Sequence, residues 1–372
     1  MHRLWVLAAV LLSAGCLKEK VEYCNNGALC PEPLVCTENA AEPFCGDRDM
    51  VGQCLGKPDE TACLFPGEPN GYCVASVCTK CDPNLAFCRY EAWTAMNPIV
   101  GGMRVATDLN SVWADASGLV AVGRTGTVIR WDGRAWSALP AVVADADYET
   151  IWGFDANTIY AATAGTYSGT KVFRFDGSTW VPQLPSPASF VYALWGPNPN
   201  LVFAVGQSGE VGRFTGTWAY AMQSGSTLNG VFGTDANNAI AVGNAGTAIR
   251  YTGTWAPDPT GTTYLLKDVG GAGGLELAVG RISAANVAGV AIRKQGTWTD
   301  LTAGLPAGTL DLKGVWVVSP TNAYAVGDSG ILKFDGTAWA NVVPGMVFNE
   351  IVGTPTDLYA VGASGTVMRL SL

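Results

Sequence analysis

The repeat that decides the fold is clearest at residues 110–140, which read NSVWADASGLVAVGRTGTVIRWDGRAWSALP. Four short segments of this stretch, NSVWA, LVAVG, TVIRW and AWSAL, are separated by turn sequences. The dipeptide Asp132-Gly133 lies between the third and fourth segments, and Asp-Gly is typical of a tight hairpin turn. The stretch therefore predicts four short strands that form one antiparallel sheet.

Two features of this repeat recur independently along the chain. The second-strand signature Ala-Val-Gly begins at Ala121, Ala204, Ala241, Ala278, Ala325 and Ala360, and Ala161-Ala162-Thr163 is a degenerate seventh copy. A fourth-strand tryptophan recurs at Trp93, Trp136, Trp180, Trp218, Trp255, Trp298 and Trp339, with spacings of 37 to 44 residues. Such spacings are typical of four-stranded propeller blades. Both counts predict seven blades.

The two ends of the repeat array complement each other. The last copy begins at Phe348 and stops after its third strand, while residues 91–96 (EAWTAM) resemble the fourth strand at residues 134–139 (RAWSAL). A closed array leaves no unpaired sheet between its first and last copies. We therefore expect an all-β fold, a seven-bladed β-propeller of four-stranded blades at residues 89–372, in which the N-terminal strand completes the last blade.

The N-terminus predicts export. Residues 1–15 combine a basic residue, a short apolar run and the small residues Ser13-Ala14-Gly15, a pattern typical of a signal peptide. Small residues directly before Cys16 resemble the lipobox of bacterial lipoproteins, which implies that Cys16 becomes the acylated N-terminus. The lipobox usually has Leu where this chain has Ser13, so ordinary signal-peptide cleavage is the alternative. Residues 16–23 would carry the lipid and a short tether, and the outer membrane or cell surface is the expected location.

The other ten cysteines all lie in one segment, residues 24–88. They are Cys24, Cys30, Cys36, Cys45, Cys54, Cys63, Cys73, Cys78, Cys81 and Cys88. An even number of cysteines in an exported chain predicts a disulfide-rich module, although spacing leaves the pairing open. Cys78 and Cys81 also have the CxxC spacing of metal and redox sites, but export favours disulfides. The run at residues 24–36, CNNGALCPEPLVC, resembles secreted modules of the Dickkopf N-terminal type.

The propeller repeats resemble known families. Residues 176–180, Asp-Gly-Ser-Thr-Trp, are similar to the turn of sialidase-type (BNR) repeats and of propellers related to photosystem assembly factors. The resemblance extends over about three quarters of the chain and implies the propeller fold. In the sialidase Asp box one residue separates Asp from Gly, whereas here the two are adjacent, so sialidase activity is not implied.

The composition excludes several classes of function. A net charge of −9 without a basic block argues against nucleic-acid binding. The sole histidine, His2, lies in the predicted signal peptide, and disulfides would occupy the remaining cysteines, so histidine- and thiolate-based catalysis is not expected. We predict no catalytic residue, no metal and no cofactor. The alternative is a sialidase-like hydrolase, which would require an arginine trio, a tyrosine and a glutamate that converge at the centre of the propeller.

Several residues recur once per blade, which favours structural roles. A cation recurs near the end of the third strand, at Arg130, Arg174, Arg213, Arg250, Arg293, Lys333 and Arg369. First-strand aromatics occur at Trp113, Trp152, Trp195, Phe232 and Trp316, with Val269 and Val352 in the other two blades. Both these aromatics and the fourth-strand tryptophans are expected to pack between blades. A charged ring that binds a ligand is the alternative for the cations.

Binding is expected where the copies differ, on the face that carries the fourth-to-first and second-to-third connections. Long second-to-third loops are predicted at residues 281–289 and 164–169. The candidate binding face comprises Glu149, Tyr192, Asn229, Lys267, Asp268, Arg281, Lys313, Asn349 and Glu350; solvated loop ends without a ligand are the alternative. We therefore hypothesise a monomeric, non-enzymatic protein held at the membrane by its lipid, whose propeller binds an unidentified protein or glycan. A structural spacer of the envelope is a further alternative.

Overall fold

The computed structural model describes residues 93–142, 144–167 and 170–372, together with residues 21–23, 29–31, 34–36, 45–47, 51, 53–54, 62–63, 71–74 and 77–80. The chain divides into two compact units, residues 1–89 and residues 90–372. Across the described residues, no helix has the length and apolar character needed to cross a membrane. The predicted signal peptide (residues 1–15) and Cys16 lie outside the described residues.

In the described residues of the first unit, Val51, Gln53 and Cys54 are helical and the other elements are short antiparallel strands. They are β1 (Val21–Tyr23), β2 (Leu29–Pro31), β3 (Leu34–Cys36), β4 (Cys45–Asp47), β5 (Ala62–Cys63), β6 (Gly71–Val74) and β7 (Val77–Lys80). Strand β1 pairs with β2, β3 pairs with β4, and β5, β6 and β7 form one sheet. Two buried disulfides, Cys54–Cys73 and Cys63–Cys78, confirm a disulfide-rich module. Closing chain loops of this size stabilises a small fold by about 3 kcal/mol per disulfide.

The other predicted cysteines fall into two groups. Cys30, Cys36 and Cys45 lie on β2, β3 and β4, and the backbone register places Cys36 opposite Cys45. Cys24, Cys81 and Cys88 lie outside the described residues. Because Cys78 is bonded to Cys63, its partner is not the CxxC neighbour Cys81.

The second unit contains seven four-stranded antiparallel sheets, which we call blades 1 to 7. Blade 1 comprises β11 (Leu109–Asp115), β12 (Gly118–Gly123), β13 (Val128–Trp131) and β14 (Trp136–Ala138). Blade 2 comprises β15 (Tyr148–Asp155), β16 (Thr158–Tyr167), β17 (Thr170–Phe175) and β18 (Trp180–Pro182). Blade 3 comprises β19 (Val191–Asn198), β20 (Leu201–Gly206), β21 (Glu210–Phe214) and β22 (Trp218–Met222).

The remaining blades repeat this order. Blade 4 comprises β23 (Leu228–Asp235), β24 (Asn238–Gly243), β25 (Ala248–Tyr251) and β26 (Trp255–Pro257). Blade 5 comprises β27 (Leu265–Ala272), β28 (Leu275–Arg281), β29 (Gly289–Gln295) and β30 (Thr297–Asp300). Blade 6 comprises β31 (Leu312–Ser319), β32 (Asn322–Gly327), β33 (Gly330–Phe334) and β34 (Trp339–Pro344). Blade 7 comprises β35 (Phe348–Gly353), β36 (Asp357–Gly362), β37 (Val367–Ser371) and β8 (Thr94–Ala95), and a small hairpin of β9 (Ile99–Val100) and β10 (Met103–Arg104) leads into blade 1.

The N-terminal strand closes the propeller, as the sequence predicts. In the β8–β37 ladder, Thr94 lies opposite Arg369 and Ala95 opposite Met368. Trp93, directly before β8, is 2% exposed and packs edge-on against Tyr324 of blade 6. The closing strand is shorter than the predicted segment at residues 91–96, but it fills the position of a fourth strand. The all-β, seven-bladed architecture is therefore confirmed.

A β-bulge at the same position of every first strand explains the Ala-Val-Gly signature. In blade 1, Leu109 pairs with Gly123 and Ser111 with Val122, so Asn110 is an extra residue. The bulge brings the carbonyl oxygen of Asp108 so close to Gly123 that a Cβ atom there would overlap it. The glycines that end the signature in blades 3 to 7 meet the corresponding carbonyl in the same way. Close backbone approach therefore explains the glycine in these six blades, whereas Thr163 occupies the position in blade 2.

The first-strand aromatics pack against glycines of the next blade. A Cβ atom on Gly153 would lie 2.6 Å from the Trp113 ring system, and one on Gly271 would lie 2.8 Å from Phe232. The strand registers give the residues at equivalent positions in successive blades, which are Trp113–Gly153, Trp152–Gly196, Trp195–Gly233, Phe232–Gly271, Gly270–Val317, Trp316–Gly353 and Val352–Ala114. Each of the five aromatics therefore corresponds to a glycine in the next blade, whereas Gly270 corresponds to Val317 and Val352 to Ala114.

Two local predictions are wrong. The blade 5 equivalent of Trp316 is Gly270 rather than Val269, because Val269 pairs with Ala278 whereas Gly270 pairs with Leu277. In blades 2, 3, 4 and 6 a second register shift near the end of the first strand lengthens the spacing to Ala-Val-Gly by one residue, and blade 5 lacks this shift. Residues 164–167 are not loop, since β16 continues to Tyr167 and pairs there with Thr170. The long second-to-third loop of blade 5 is present at residues 282–288.

The fourth-strand tryptophans pack against the preceding blade, as predicted. Trp218 of blade 3 contacts Tyr160 of blade 2, and Trp255 of blade 4 contacts Phe203 of blade 3. The Trp180 indole also donates a hydrogen bond of 2.7 Å to the carbonyl oxygen of Pro140. These contacts join neighbouring sheets near the outer edge of the propeller, whereas the first-strand aromatics join them near its centre.

Candidate functional site

The two faces of the propeller are built from different connections. We call upper face the surface formed by the fourth-to-first and second-to-third connections, and lower face the surface formed by the first-to-second and third-to-fourth turns. Lower turns are short and polar, for example residues 176–179 (DGST) and 335–338 (DGTA). Upper connections include the 13 residues 96–108 and the seven residues 282–288. Because loops vary at little cost to a core, the upper face is the more suitable scaffold for a binding site.

A central cavity of about 880 Å³ is lined by the first strands of all seven blades. The extra residue of each bulge lines it, in chain order Asn110, Glu149, Tyr192, Asn229, Lys267, Lys313 and Asn349. Asp268, Arg281 and Glu350 also line the cavity. The structure therefore brings together all nine residues of the predicted binding face and adds Asn110. Whether they bind a ligand stays a prediction.

Some of these side chains have a structural role. The amide nitrogen of Asn110 donates a hydrogen bond of 2.7 Å to the carbonyl oxygen of Tyr148 in blade 2. Asn229 and Asn349 make the equivalent bonds to Leu266 and Leu109 of the following blades, at 2.7 and 2.9 Å. These three asparagines link neighbouring blades at the upper end of the cavity, so they shape its wall.

Two carboxyl groups lie directly below the ring of bulge residues. Asp268 of blade 5 accepts a hydrogen bond of 2.8 Å from the backbone N–H of Val315 in blade 6. Glu350 of blade 7 accepts one of 2.9 Å from the N–H of Ile351, and its Oε1 would lie 2.8 Å from a Cβ atom on Gly314. Both carboxyl groups therefore approach blade 6 at Gly314–Val315, one from each side. A larger residue than glycine at 314 would displace Glu350.

The environment raises the pKa of both carboxyl groups. Desolvation raises the pKa of Asp268 to about 7, against the opposing effect of hydrogen bonds from the N–H groups of Val315 and Val269. Desolvation also raises the pKa of Glu350 well above its usual value, and repulsion from Asp268 adds to this effect. Two carboxylates that are close together and poorly solvated disfavour simultaneous ionisation. At neutral pH we expect the pair to retain a proton.

The basic residues at the mouth of the cavity are already in ion pairs. Lys267 and Arg281 lie 3.1 and 3.3 Å from Oδ2 of Asp311, which is 3% exposed. Lys313 lies 2.7 Å from Asp328 and also bonds to Asn349. These cations therefore point toward the surrounding connections and not toward Asp268 and Glu350.

The opposite side of the mouth, in blades 2 and 3, carries Glu149 and Tyr192. Desolvation raises the pKa of Glu149, and nearby Asp147 adds to the effect while Arg124 opposes it. Desolvation and the Glu149 charge raise the pKa of the Tyr192 hydroxyl. This side of the cavity thus offers a poorly solvated carboxyl group and an aromatic side chain.

Exposed apolar side chains concentrate on the upper face. Eight of the eleven large hydrophobic residues that are exposed in the described part of the chain lie on its connections: Ile99, Met103, Leu184, Phe190, Ile282, Val287, Leu310 and Val347. Ile282, Val287 and Leu310 lie close together, because a bridge joins Ala288 to Leu310. Exposed apolar groups beside a polar cavity are typical of interaction sites.

Sequence reasoning missed several residues of the cavity. The residue that begins a second-to-third turn lines the cavity in three blades, at Arg124, Gln207 and Asn244. Arg281, at the end of the second strand of blade 5, occupies the corresponding position. An alignment of the seven copies at the Gly of Ala-Val-Gly would have found them, since they follow that glycine directly. Trp152, Trp195, Phe232 and Trp316 also line the cavity below the carboxyl groups.

The third-strand cations lie elsewhere. All seven are described, and none lines the cavity. Arg250 instead bridges blades 4 and 5 by a bond of 2.9 Å to Glu276, Arg369 bonds to Asp357 at 2.7 Å, and Lys333 lies over the Tyr324 ring. Arg124 and Arg281 are the arginines of the cavity lining, so the arginine trio of the hydrolase alternative does not converge there among the described residues.

Fold and cavity define a seven-bladed propeller protein with an open central site. No protein-family model matches the chain, and no curated protein matches it. Among solved structures it is similar to YCF48 bound to D1 peptide, with a TM-score of 0.59 and 16% identity over 76% of this chain and 96% of that one. YCF48 from Cyanidioschyzon merolae is similar with a TM-score of 0.57 and 14% identity, over 75% and 98% of the two chains. Virginiamycin B lyase from Staphylococcus aureus has a TM-score of 0.62 and 10% identity, over 75% and 99%. At these identities the likeness shows the fold alone.

Proposed function

We propose that this chain is a non-enzymatic binding protein of the bacterial cell envelope, anchored by a lipid on Cys16, whose upper face binds a protein partner. The observation that carries the proposal is that the central cavity and eight exposed apolar residues occupy the same face. Apolar anchors around a polar, concave centre are the usual composition of a protein-recognition surface. The propeller that binds a D1 peptide supports a peptide or protein as the class of partner.

A displayed random-peptide library, panned against the immobilised full chain, tests the binding face. Peptides that bind the wild-type chain should lose at least about tenfold in affinity on Leu310→Asp, because a charge replaces an apolar anchor. The matched control is Ala236→Asp, which places the same charge on an exposed lower-face turn and should leave binding unchanged. Binding that survives Leu310→Asp, or that depends on Ala236, would contradict an upper-face site.

Membrane attachment is tested separately. Cys16→Ser removes the proposed acylation site, so the protein should move from the membrane fraction to the soluble fraction of the envelope. We propose the outer membrane or cell surface as its location, because the residues after Cys16 are Leu17 and Lys18 and lack the aspartate that favours inner-membrane retention in enteric lipoproteins. Unchanged partitioning of Cys16→Ser would refute the lipid anchor without affecting the binding proposal.

A further inference from the structure

The cavity contains carboxyl groups without counter-ions. Of the bases that line it, Lys267, Arg281 and Lys313 are in ion pairs with Asp311 and Asp328, and Arg124 lies 3.8 Å from Asp108. Asp268 and Glu350 have backbone N–H partners but no ion pair with any base of the described residues. The interior of the cavity therefore carries an excess of acidic groups that the mouth does not neutralise.

The aromatic walls of the cavity below these carboxyl groups are suited to a cation. Trp152, Trp195 and Trp316 line the same cavity as Asp268 and Glu350, and Tyr192 lies at its mouth. The faces of aromatic side chains attract lysine and arginine side chains, and the attraction is stronger where water is excluded. A basic group that entered between these walls would supply the charge that the carboxyl groups lack.

We propose that the central cavity receives a basic side chain, lysine or arginine, of the partner that the upper face binds. The inference rests on the proposed function and names the chemistry of the partner. The apolar residues around the mouth hold the flanking peptide, while the inserted ammonium or guanidinium group pairs with Asp268 and Glu350. The cavity volume of about 880 Å³ accommodates such a side chain together with water. An acidic peptide is disfavoured, because the bases at the mouth already have carboxylate partners.

Three capped tripeptides test the charge preference directly: acetyl-Gly-Arg-Gly-amide, its citrulline analogue and its glutamate analogue. Citrulline has nearly the shape of arginine without the charge. Tryptophan fluorescence of the full chain should report binding, since three tryptophans line the cavity. The arginine peptide should bind at least about tenfold more tightly than the citrulline peptide, as expected for a close charge pair. Equal affinities, or tighter binding of the glutamate peptide, would overturn the inference.

The double variant Asp268→Asn/Glu350→Gln locates the effect. Both amides keep an oxygen that can accept the existing N–H bonds, so the fold should be retained and the preference for arginine over citrulline should disappear. Asp115→Asn is the matched control, because Asp115 caps a lower-face turn through Ser117 and asparagine can do the same. If the double variant does not fold, the citrulline comparison on the wild-type chain still decides.

Failure of this inference is distinguishable from failure of the proposed function. Library peptides that bind the double variant as well as the wild type, but lose binding on Leu310→Asp, would overturn the basic-side-chain proposal and leave the upper-face site standing. Peptides that are insensitive to both sets of changes would overturn both proposals. The expected result is that the selected peptides are enriched in lysine or arginine and lose binding to both the double variant and the Leu310→Asp variant.

Discussion

Aspartates on the two faces of the propeller have opposite properties. On the lower face, Asp176 accepts hydrogen bonds of 2.9 Å from the N–H groups of Ser178 and Thr179, and these bonds lower its pKa to about 2. Asp335 in blade 6 repeats the arrangement, and its pKa is also lowered to about 2. In the cavity, desolvation instead raises the pKa of Asp268 to about 7. The lower aspartates stabilise turns, whereas the carboxyl group of the cavity aspartate has no basic partner and can still pair with one.

This difference explains why one face varies and the other repeats. Many lower turns satisfy backbone groups with their own Asp, Asn, Ser or Thr side chain, as at Asp155–Asn157 and Asn198–Asn200. Upper connections bond to the next blade instead, for example through Thr125 to Asp147 and Ser364 to Asp108. Lower turns can therefore repeat from blade to blade. The upper face is formed jointly by the connections of seven blades, and the sequences of these connections can differ.

Both faces depend on ring closure, so the largest effect is expected at Trp93. Trp93→Ala removes a fully buried side chain that packs against Tyr324 and should lower the free energy of unfolding by about 3–5 kcal/mol. Chemical denaturation measures this loss. The control is Val181→Ala on the fourth strand of blade 2, where the side chain is exposed. A loss at Trp93 no larger than that of the control would contradict closure by β8.

The aromatic–glycine pairs lie toward the lower end of the central cavity, and the next prediction breaks one of them. Gly353→Val would overlap the Trp316 side chain and should cost about 1–3 kcal/mol. Trp316→Gly combined with Gly353→Val gives the residues that stand at the equivalent positions 270 and 317, so the double variant should lose at least about 1 kcal/mol less than the sum of the single losses. Glu149→Gln in the upper half should stay within about 0.5 kcal/mol. Additive single losses would refute the pairing rule.

The Asp268–Glu350 pair predicts a dependence of stability on pH. The folded pKa of Asp268 lies above that of an unfolded aspartate, about 3.9, so the folded state binds more protons between these values. The resulting stabilisation is fully present below about pH 4 and is lost as the pH rises through about 7. We expect a loss on the order of 1–2 kcal/mol, reduced by solvent in the channel. Denaturation midpoints measured from pH 5 to 9 report this loss of stability. In the Asp268→Asn variant the midpoint should change less with pH. An equal slope in the variant and the wild type would contradict the prediction.

The last prediction concerns the pKa values of aspartates on the two faces and requires no substitution. Carbon-detected NMR titration should show Asp176 and Asp335 ionising near pH 2 and Asp268 near pH 7. Both kinds of aspartate accept N–H bonds, but Asp176 and Asp335 are exposed to water whereas desolvation dominates at Asp268. Similar midpoints for the two groups would remove the distinction between the faces.

The fold was predictable because its main determinants are local and repeated. Ala-Val-Gly and the fourth-strand tryptophan report strand order and spacing once per blade, and the unmatched Trp93 segment reports closure. The candidate site was predictable only as a list of residues at equivalent positions. That Asp268 and Glu350 approach the same segment of blade 6 depends on the bulge and on the position of neighbouring blades, which the spacing of residues does not give. The error at Val269 arose because blade 5 lacks the second register shift of blades 2, 3, 4 and 6.

The sequence by itself determined the number of blades, the closure, the cysteine-rich module and the face on which the copies differ, because each follows from a periodic pattern or its interruption. Only the tertiary structure decided which polar groups are neutralised. Lys267 is adjacent to Asp268 in the chain, yet it pairs with Asp311, so chain proximity is a poor guide to charge pairing. The physical reason is that ion pairs and desolvation depend on distances between blades, and seven first strands must meet before a cavity exists.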